Sequence, residues 1–591
     1  MQSQLVLMSM WAGHWARSVW TVAKQPVDAP HAGRLTALAG ALAAAGLMLA
    51  ACGGGGGSTT GAAPAPAATG TVNLAVTDGP MLDATNVWVT IKQVDFHTSS
   101  NANGADSNWQ KFPLTAPVTI DLNQLSNGAL NQVFTGLSLP VGSYQQIRLY
   151  LASADDALSA SASAAGLTYN DQVTYTPTTG PNAGVVTKAP LEIAAPTQGI
   201  GLVGTFNVVA NQTLSLAVEF DVGHDVVRYK HGSLDAFTMK PVLRYYDLSQ
   251  SGAITGRIDT TACKTLPLAC SGFVVKAERP SADGTYNTVA RWTQVKADGS
   301  FTLFPLPASA GQTYDIMVRG RNAQTMIVKA VPVTVGGTPA SGATAVSNAA
   351  LAAQTSAEFN VAVSPALSPT GGAVQFYQTP SATDKPYEIR FRSLNPFTGD
   401  FTTLAGNTFP LTSAAPLVGS YVAGGSPSLV ASGPQEGAGS YTPVASAGGY
   451  ARTSGTVVNA LQTTATFAAP SAAAGVAQLG SVSGAIVGGT GNWTNGQIVV
   501  ARFGTVVNTV DISSAINGGN YTVGKLPSGS VAQPLGGSFL GGGAYYYAYA
   551  RLWNSANTQG PNGTPRIRTV AIDGVADLRT SASATLNVTL P

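Results

Sequence analysis

Thr71-Val72-Asn73-Leu74-Ala75-Val76-Thr77 sets the reading of the whole chain. Apolar side chains at 72, 74 and 76 alternate with polar or small ones, and a period of two places Val72, Leu74 and Val76 on one face of a strand. The same rhythm returns at Val87, Val89 and Ile91, at Ile147, Leu149 and Leu151, and at Leu214, Leu216, Val218 and Phe220. Turn-rich clusters at residues 99–108 and 178–184 separate these runs, and no stretch sustains a helical period. An all-β chain of tandem antiparallel β-sandwiches is the expected architecture.

At 591 residues the chain is too long for one hydrophobic core; at roughly 150 residues per domain it divides into about four. Charged residues make up 10% of the sequence, against roughly 25% in soluble globular proteins. A surface polar by hydroxyl and amide, with 67 glycines for turns, suits an exported strand-rich protein better than one with long exposed helices. Arg17, Lys24, Arg34 and Asp28 all precede residue 52; removing them from 30 basic and 28 acidic residues leaves 27 of each. A neutral chain without a dense Lys/Arg run offers nothing to neutralise phosphates, so nucleic acid is excluded as a partner.

The strongest local signal starts at Arg34, a positive charge followed by an apolar run to Ala51 and then Leu49-Ala50-Ala51-Cys52-Gly53. This resembles the lipobox of bacterial lipoproteins. The resemblance implies a leader at 1–51, cleavage before Cys52, a diacylglycerol thioether on Cys52 and an acylated new amine. Each buried methylene contributes about 0.8 kcal/mol, so two or more chains hold durably where one does not. The expected partner is therefore the membrane, reached through the lipid, and Gly53 in place of Asp points to the outer membrane. Residues 1–33 form an unusual extension ahead of such a signal, and translation is expected to start nearer Arg34. Residues 52–70, with Gly53 to Gly57 and then Ala, Pro and Thr, read as a flexible spacer.

Gly70-Thr71-Val72-Asn73-Leu74-Ala75-Val76-Thr77-Asp78-Gly79-Pro80 opens a longer resemblance. With Val118-Thr119-Ile120-Asp121-Leu122, Leu139-Pro140-Val141-Gly142-Ser143-Tyr144, Phe220-Asp221 and Lys240-Pro241-Val242-Leu243-Arg244, it is similar to the bacterial domain-of-unknown-function family 4382 over residues 71–248. That resemblance implies a β-rich envelope domain and no assigned activity. The Ser/Ala-rich stretch at 159–187 departs from it and is expected as an extended loop. Two later segments, 250–345 and 478–591, resemble carboxypeptidase regulatory-like, prealbumin-type sandwiches. They share Gly256-Arg257-Ile258 against Gly484-Ala485-Ile486, and Leu306-Pro307 against Leu526-Pro527. Between them, 339–356 reads as linker and 357–470 as a strand-rich module of unknown type.

Cys263 and Cys270 are a matched pair in one apparent loop. In an oxidising envelope a disulfide is their natural arrangement, and closing so small a ring stabilises by about 2.5 kcal/mol.

No catalytic constellation is legible. Only His97, His224 and His231 follow the leader, and no nucleophile elbow, zinc helix or phosphate loop occurs. Asp221, His224 and Asp225 could offer oxygen and nitrogen ligands from one turn, and equally make a polar turn. Asn101, Asn103, Asp106 and Asn108 alternate as calcium ligands do but lack the terminal Glu, so a solvated hairpin tip is expected. Asp78 is read as capping a turn before Pro80. No metal or cofactor is expected.

Aromatic residues give the one binding clue. Tyr545, Tyr547 and Tyr549 alternate along a strand, with Trp553 beyond and Trp493 in the same module. A row of rings can stack on sugar faces, and the same row can fill a core. The functional expectation is a lipid-anchored envelope protein, not an enzyme, presenting sandwiches that bind polysaccharide or protein. An enzyme or accessory subunit acting on glycans, and a structural spacer, are the alternatives.

Overall fold

The computed structural model describes residues 67–591, apart from 262–270, 351–355, 365–371, 398–407, 460–463, 469–477, 555–565 and several shorter gaps. Cys52, Cys263 and Cys270, and with them the expected lipid and disulfide sites, lie outside the described residues. Among those described, no helix is long and apolar enough to cross a membrane.

The opening strand, Thr69–Thr77, sits inside a four-stranded sheet, between Thr213–Glu219 and Asn131–Pro140, with Arg244–Asp247 at the edge. Its pairing with Thr213–Glu219 is parallel and brings Val72 beside Leu214, Leu74 beside Leu216 and Val76 beside Val218. The alternating apolar sets thus share one face. A second, eight-stranded sheet, centred on Asn86–His97 and Gly142–Leu151, closes over them, and Val87, Val89, Ile91, Ile147 and Leu149 are all fully buried in the shared core. The sandwich is mixed rather than purely antiparallel, because Leu234–Met239 also pairs in parallel with Thr187–Ile193. Connections of dozens of residues separate the parallel partners, so no tight hairpin forces them antiparallel.

The stretch expected as an extended loop at 159–187 carries regular structure as far as Tyr175 instead. Ser159 accepts the Ala162 N–H and starts a short helix, Ala160–Ala164, and Gln172–Tyr175 then joins the large sheet between Asn86–His97 and Thr187–Ile193. Asp171 anchors the turn before it by accepting the Thr90 N–H at 2.8 Å. At four residues, Gln-Val-Thr-Tyr is too short for its alternation to stand out within a Ser/Ala-rich stretch.

Two downstream sandwiches share one strand topology. In the second, Ser251–Asp259 lies between an antiparallel Ser300–Pro307 and a parallel Thr344–Ala350. Facing it is a sheet ordered Asn287–Gln294, Ser271–Pro280, Thr313–Arg321, Ala323–Pro332. At the C-terminus, Gln478–Val487 lies between an antiparallel Gly519–Ser528 and parallel Ser583–Thr585 and Val588–Thr589. Thr505–Asp511, Asn495–Arg502, Tyr545–Trp553 and Arg568–Asp577 form the opposing sheet in the same order. Thr344–Ala350 therefore belongs to the second sandwich, although its sequence reads as linker: small residues suffice for a strand whose register is set by its neighbour.

The 357–470 region is not closed on itself. Its five-stranded sheet is built on Ala373–Gln378, Tyr387–Ser393 and Ser440–Ser446. Leu417–Ser420, however, leaves to extend the second sandwich's sheet alongside Ala323–Pro332. Met317 and Ile327, from the outer face of that sheet, pack in one core with Val374, Phe376 and Ile389.

Pro66–Pro591 consequently form one compact unit, with polar seams between sandwiches. Arg291 and Glu219, 1% and 0% exposed at the side chain, pair at 2.5 Å. The guanidinium also donates to Thr77 Oγ1 at 2.8 Å and to the Asp78 carbonyl at 2.9 Å. Arg551 grips Glu192 at 2.5 and 3.0 Å and stacks 3.5 Å over the Phe397 ring. Removing one partner of a buried pair strands the other, at about 3–5 kcal/mol. Arg291→Ala is expected to lower unfolding free energy by that amount in denaturant titration and to make the first two sandwiches separable by limited proteolysis. A loss below about 1 kcal/mol would contradict the seam's role.

Candidate functional site

Tyr545, Tyr547 and Tyr549, expected as a sugar-facing row, are 0%, 3% and 0% exposed. That reading is corrected by what their rings touch. The Tyr545 hydroxyl donates to the Ala102 carbonyl at 2.8 Å, and the Tyr547 hydroxyl accepts the Gly104 N–H at 2.7 Å. Arg148, itself buried, donates to both hydroxyls at 3.3 and 3.2 Å. Phe503 settles where Gly201 leaves room: a Cβ there would stand 2.2 Å from the ring. The row is thus a clamp on the first sandwich, and Trp553 packs edge-on against His231 at 5.0 Å. Trp493 stays partly buried against the C-terminal core.

The hairpin tip at 101–108 is the other jaw of this clamp on its 101–104 side, while Ala105, Ser107 and Asn108 stay exposed as expected of a solvated tip. Arg579 donates to the Asn101 carbonyl at 2.7 Å. Asp106 and Asn103 spend their side chains within the loop, accepting the N–H groups of Asn103 and Ala105 at 2.6 and 2.8 Å.

Asp221, His224 and Asp225 lie in a short helical turn, Val222–Asp225, at the seam with the second sandwich. Asp221 has φ +49°, a left-handed conformation that Asp tolerates. Its carboxylate accepts Trp292 Nε1 at 2.5 Å and lies 2.8 Å from His224 Nδ1. Gly79 and Gly223 form the slot for that indole, since a Cβ on either would stand 2.6 and 2.2 Å from it. Asp225 turns away to accept the Val242 N–H at 3.0 Å, and among the described residues no three His, Cys, Asp or Glu gather as a metal site. Asp78 accepts the Val222 N–H at 2.8 Å, tying two remote turns together. Burial pushes the Asp221 carboxyl up, but His224, Arg244 and the Trp292 hydrogen bond outweigh it and bring it down to about 2. Burial and then the Asp221 charge hold Asp225 well above the usual carboxylate range. Burial brings Lys240, which donates to the Gly372 carbonyl at 3.1 Å, down to about 8. The turn, Lys240, Arg244, Gln375, Glu388 and Arg452 enclose a charged cavity of about 130 Å³.

A larger groove, about 430 Å³, opens between the first and C-terminal sandwiches. Its walls carry Tyr169, Ile193, Tyr229, Phe237 and Ile567, and its polar groups are Ser153, Thr168, Asp155, Glu192, Arg566 and Thr569. Glu192 is neutralised by Arg551, and Asp155 accepts both the N–H and the hydroxyl of Thr569 at 3.0 Å. Apolar walls, hydroxyls and balanced charge suit an uncharged polar ligand of the size such a volume admits. Sequence reasoning missed this groove because its lining comes from segments some 400 residues apart.

Each histidine beyond the leader packs against a tryptophan: His97 on Trp109, His224 on Trp292 and His231 on Trp553. Burial, aided by the Arg551 charge, brings His231 down to about 4. An unfolded histidine titrates near 6.5, so the neutral form's contribution is fully present above that pH and disappears as pH falls through about 4. His231→Gln should flatten the decline of melting temperature between pH 6.5 and 4. A slope equal to the parent's would contradict the assignment.

Comparison with known proteins yields one family and remote structural likenesses. No curated protein matches the chain. Among solved structures, a leucine-rich repeat protein from Bacteroides thetaiotaomicron is 14% identical over 48% of this chain and 26% of its own, at a TM-score of 0.12. The pilus adhesin SpaC from Lactobacillus rhamnosus GG is 9% identical over 86% and 57%, at 0.13. The major pilin from Streptococcus pyogenes is 10% identical over 48% and 98%, at 0.09. The chain thus spans about a quarter of the first of these and just over half of the second. Residues 69–241, the first sandwich, match the family described as a domain of unknown function, DUF4382.

Proposed function

We propose that this protein is an exported lipoprotein, held at the outer membrane through Cys52, whose rigid stack of sandwiches binds an uncharged glycan in the groove between the first and C-terminal modules. One observation carries the ligand assignment: a 430 Å³ groove with Tyr169 on its wall, hydroxyls at Ser153, Thr168 and Thr569, and carboxylates already paired. Sugars present apolar C–H faces and a rim of hydroxyls, and an aromatic wall beside neutral hydrogen-bonding groups complements both. Binding is favoured over turnover because Glu192 is engaged by the Arg551 guanidinium and Asp155 by Thr569. The prealbumin-like reading of the two later sandwiches draws support from their common strand order.

Two measurements test this. Cys52→Ala should move the protein from the membrane fraction to the soluble fraction, with loss of the acylated N-terminal peptide in mass spectrometry; unchanged partitioning contradicts the anchor. On an array of neutral and acidic polysaccharides, the intact protein should retain neutral glycans. Tyr169→Ala should weaken that binding roughly tenfold, equivalent to about 1.4 kcal/mol. Retention of no glycan would favour the spacer reading, and turnover of a bound glycan would establish an enzyme.

A further inference from the structure

Ser271–Pro280 sends alternate side chains to opposite sides of its sheet: Val275 and Ala277 into the second sandwich's core, Lys276 and Glu278 toward the five-stranded sheet. Lys276 is 1% exposed and Glu278 0%. Opposite them Tyr387–Ser393 presents Glu388, 7% exposed. Lys276 Nζ lies 2.8 Å from Glu388 Oε1 and donates to the Glu388 carbonyl at 2.7 Å. Glu278 Oε2 accepts the Glu388 N–H at 3.0 Å, while its Oε1 is buried without a partner. Met317 and Ile327, both fully buried, belong to the apolar core of this seam.

We infer that Lys276 and Glu388 join in an intramolecular amide, formed without an enzyme and assisted by Glu278. A lone salt bridge needs one carboxylate, yet this buried site holds two, and among the ion pairs of the described residues Glu278 has none of its own. Burial brings Glu278 up to about 8, which favours its carboxylic acid form. Burial also lowers the Lys276 ammonium, against the opposing pull of Glu388. A protonated acid beside an amine and a carboxyl group is the arrangement that amide condensation requires.

The step balances as follows. Lys276 Nζ passes a proton to Glu388, giving a neutral amine and a carboxylic acid. Nζ then attacks Glu388 Cδ while the Glu278 acid protonates the carboxyl oxygen. Glu278 regains a proton from the attacking nitrogen, the Cδ–O bond breaks, and one water leaves. No oxidant or co-reactant is needed. Holding both groups in contact supplies the effective concentration that the free reaction in water lacks. Conversion to an amide also removes two buried charges whose desolvation is costly.

The test is peptide mapping of the purified full-length protein. The peptide bearing Lys276 should appear joined to the peptide bearing Glu388, with a combined mass lower by one water. Glu278→Gln, which keeps the shape but cannot carry the proton, should give the two peptides separately, with the far-UV spectrum unchanged. Lys276→Met should abolish the linked species as well. Separate peptides from the unsubstituted protein, even after prolonged incubation, overturn the inference. A link that persists in Glu278→Gln overturns the assistance assigned to Glu278.

Discussion

A buried guanidinium clasping a buried carboxylate holds this molecule together. Arg291 with Glu219 joins the first two sandwiches, and Arg551 with Glu192 joins the first to the last. An ion pair removed from water is costly unless its remaining donors and acceptors are satisfied. Here they are: Thr77 and the Asp78 carbonyl complete Arg291, Tyr246 donates to Glu219 at 2.6 Å, and Tyr229 and Gln497 complete Arg551. Such networks tolerate one geometry, so they fix the orientation of each sandwich where an apolar contact alone would permit sliding.

The landmark residues of the first domain acquire a physical meaning from these seams. Asp78 accepts the Val222 N–H and so joins the two turns that carry Gly79 and Asp221. They shape the slot into which Trp292 inserts, with Gly79 and Gly223 supplying the space and Asp221 the acceptor. Gly201 does the same for Phe503. The first sandwich is a receiving surface, and the groove proposed for glycan is the gap left where one such docking is incomplete.

The low charge content fits this construction. With 10% charged residues, the chain spends a good share of them inside, at Arg148, Glu219, Lys276, Glu278, Arg291 and Arg551. The surface is left to hydroxyls and amides, and specificity between modules comes from few, fully enclosed charges.

Sequence alone determined the strand class. Alternation at Val72, Leu74 and Val76 is a local signal, since the side chains of one strand must sort between core and solvent whatever lies opposite. The likeness of pattern around Gly256 and Gly484 was equally legible, and the strands of the two segments run in one order. Only tertiary structure decided what the remaining residues do. Tyr545 and Tyr547 read the same whether a face meets water or a neighbouring sandwich, and burial against Ala102, Gly104 and Arg148 chose the second. Parallel pairings and the shared sheet at Leu417–Ser420 were hidden for the same reason. Partners brought together from segments hundreds of residues apart leave no periodicity in either segment, and only packing reveals them.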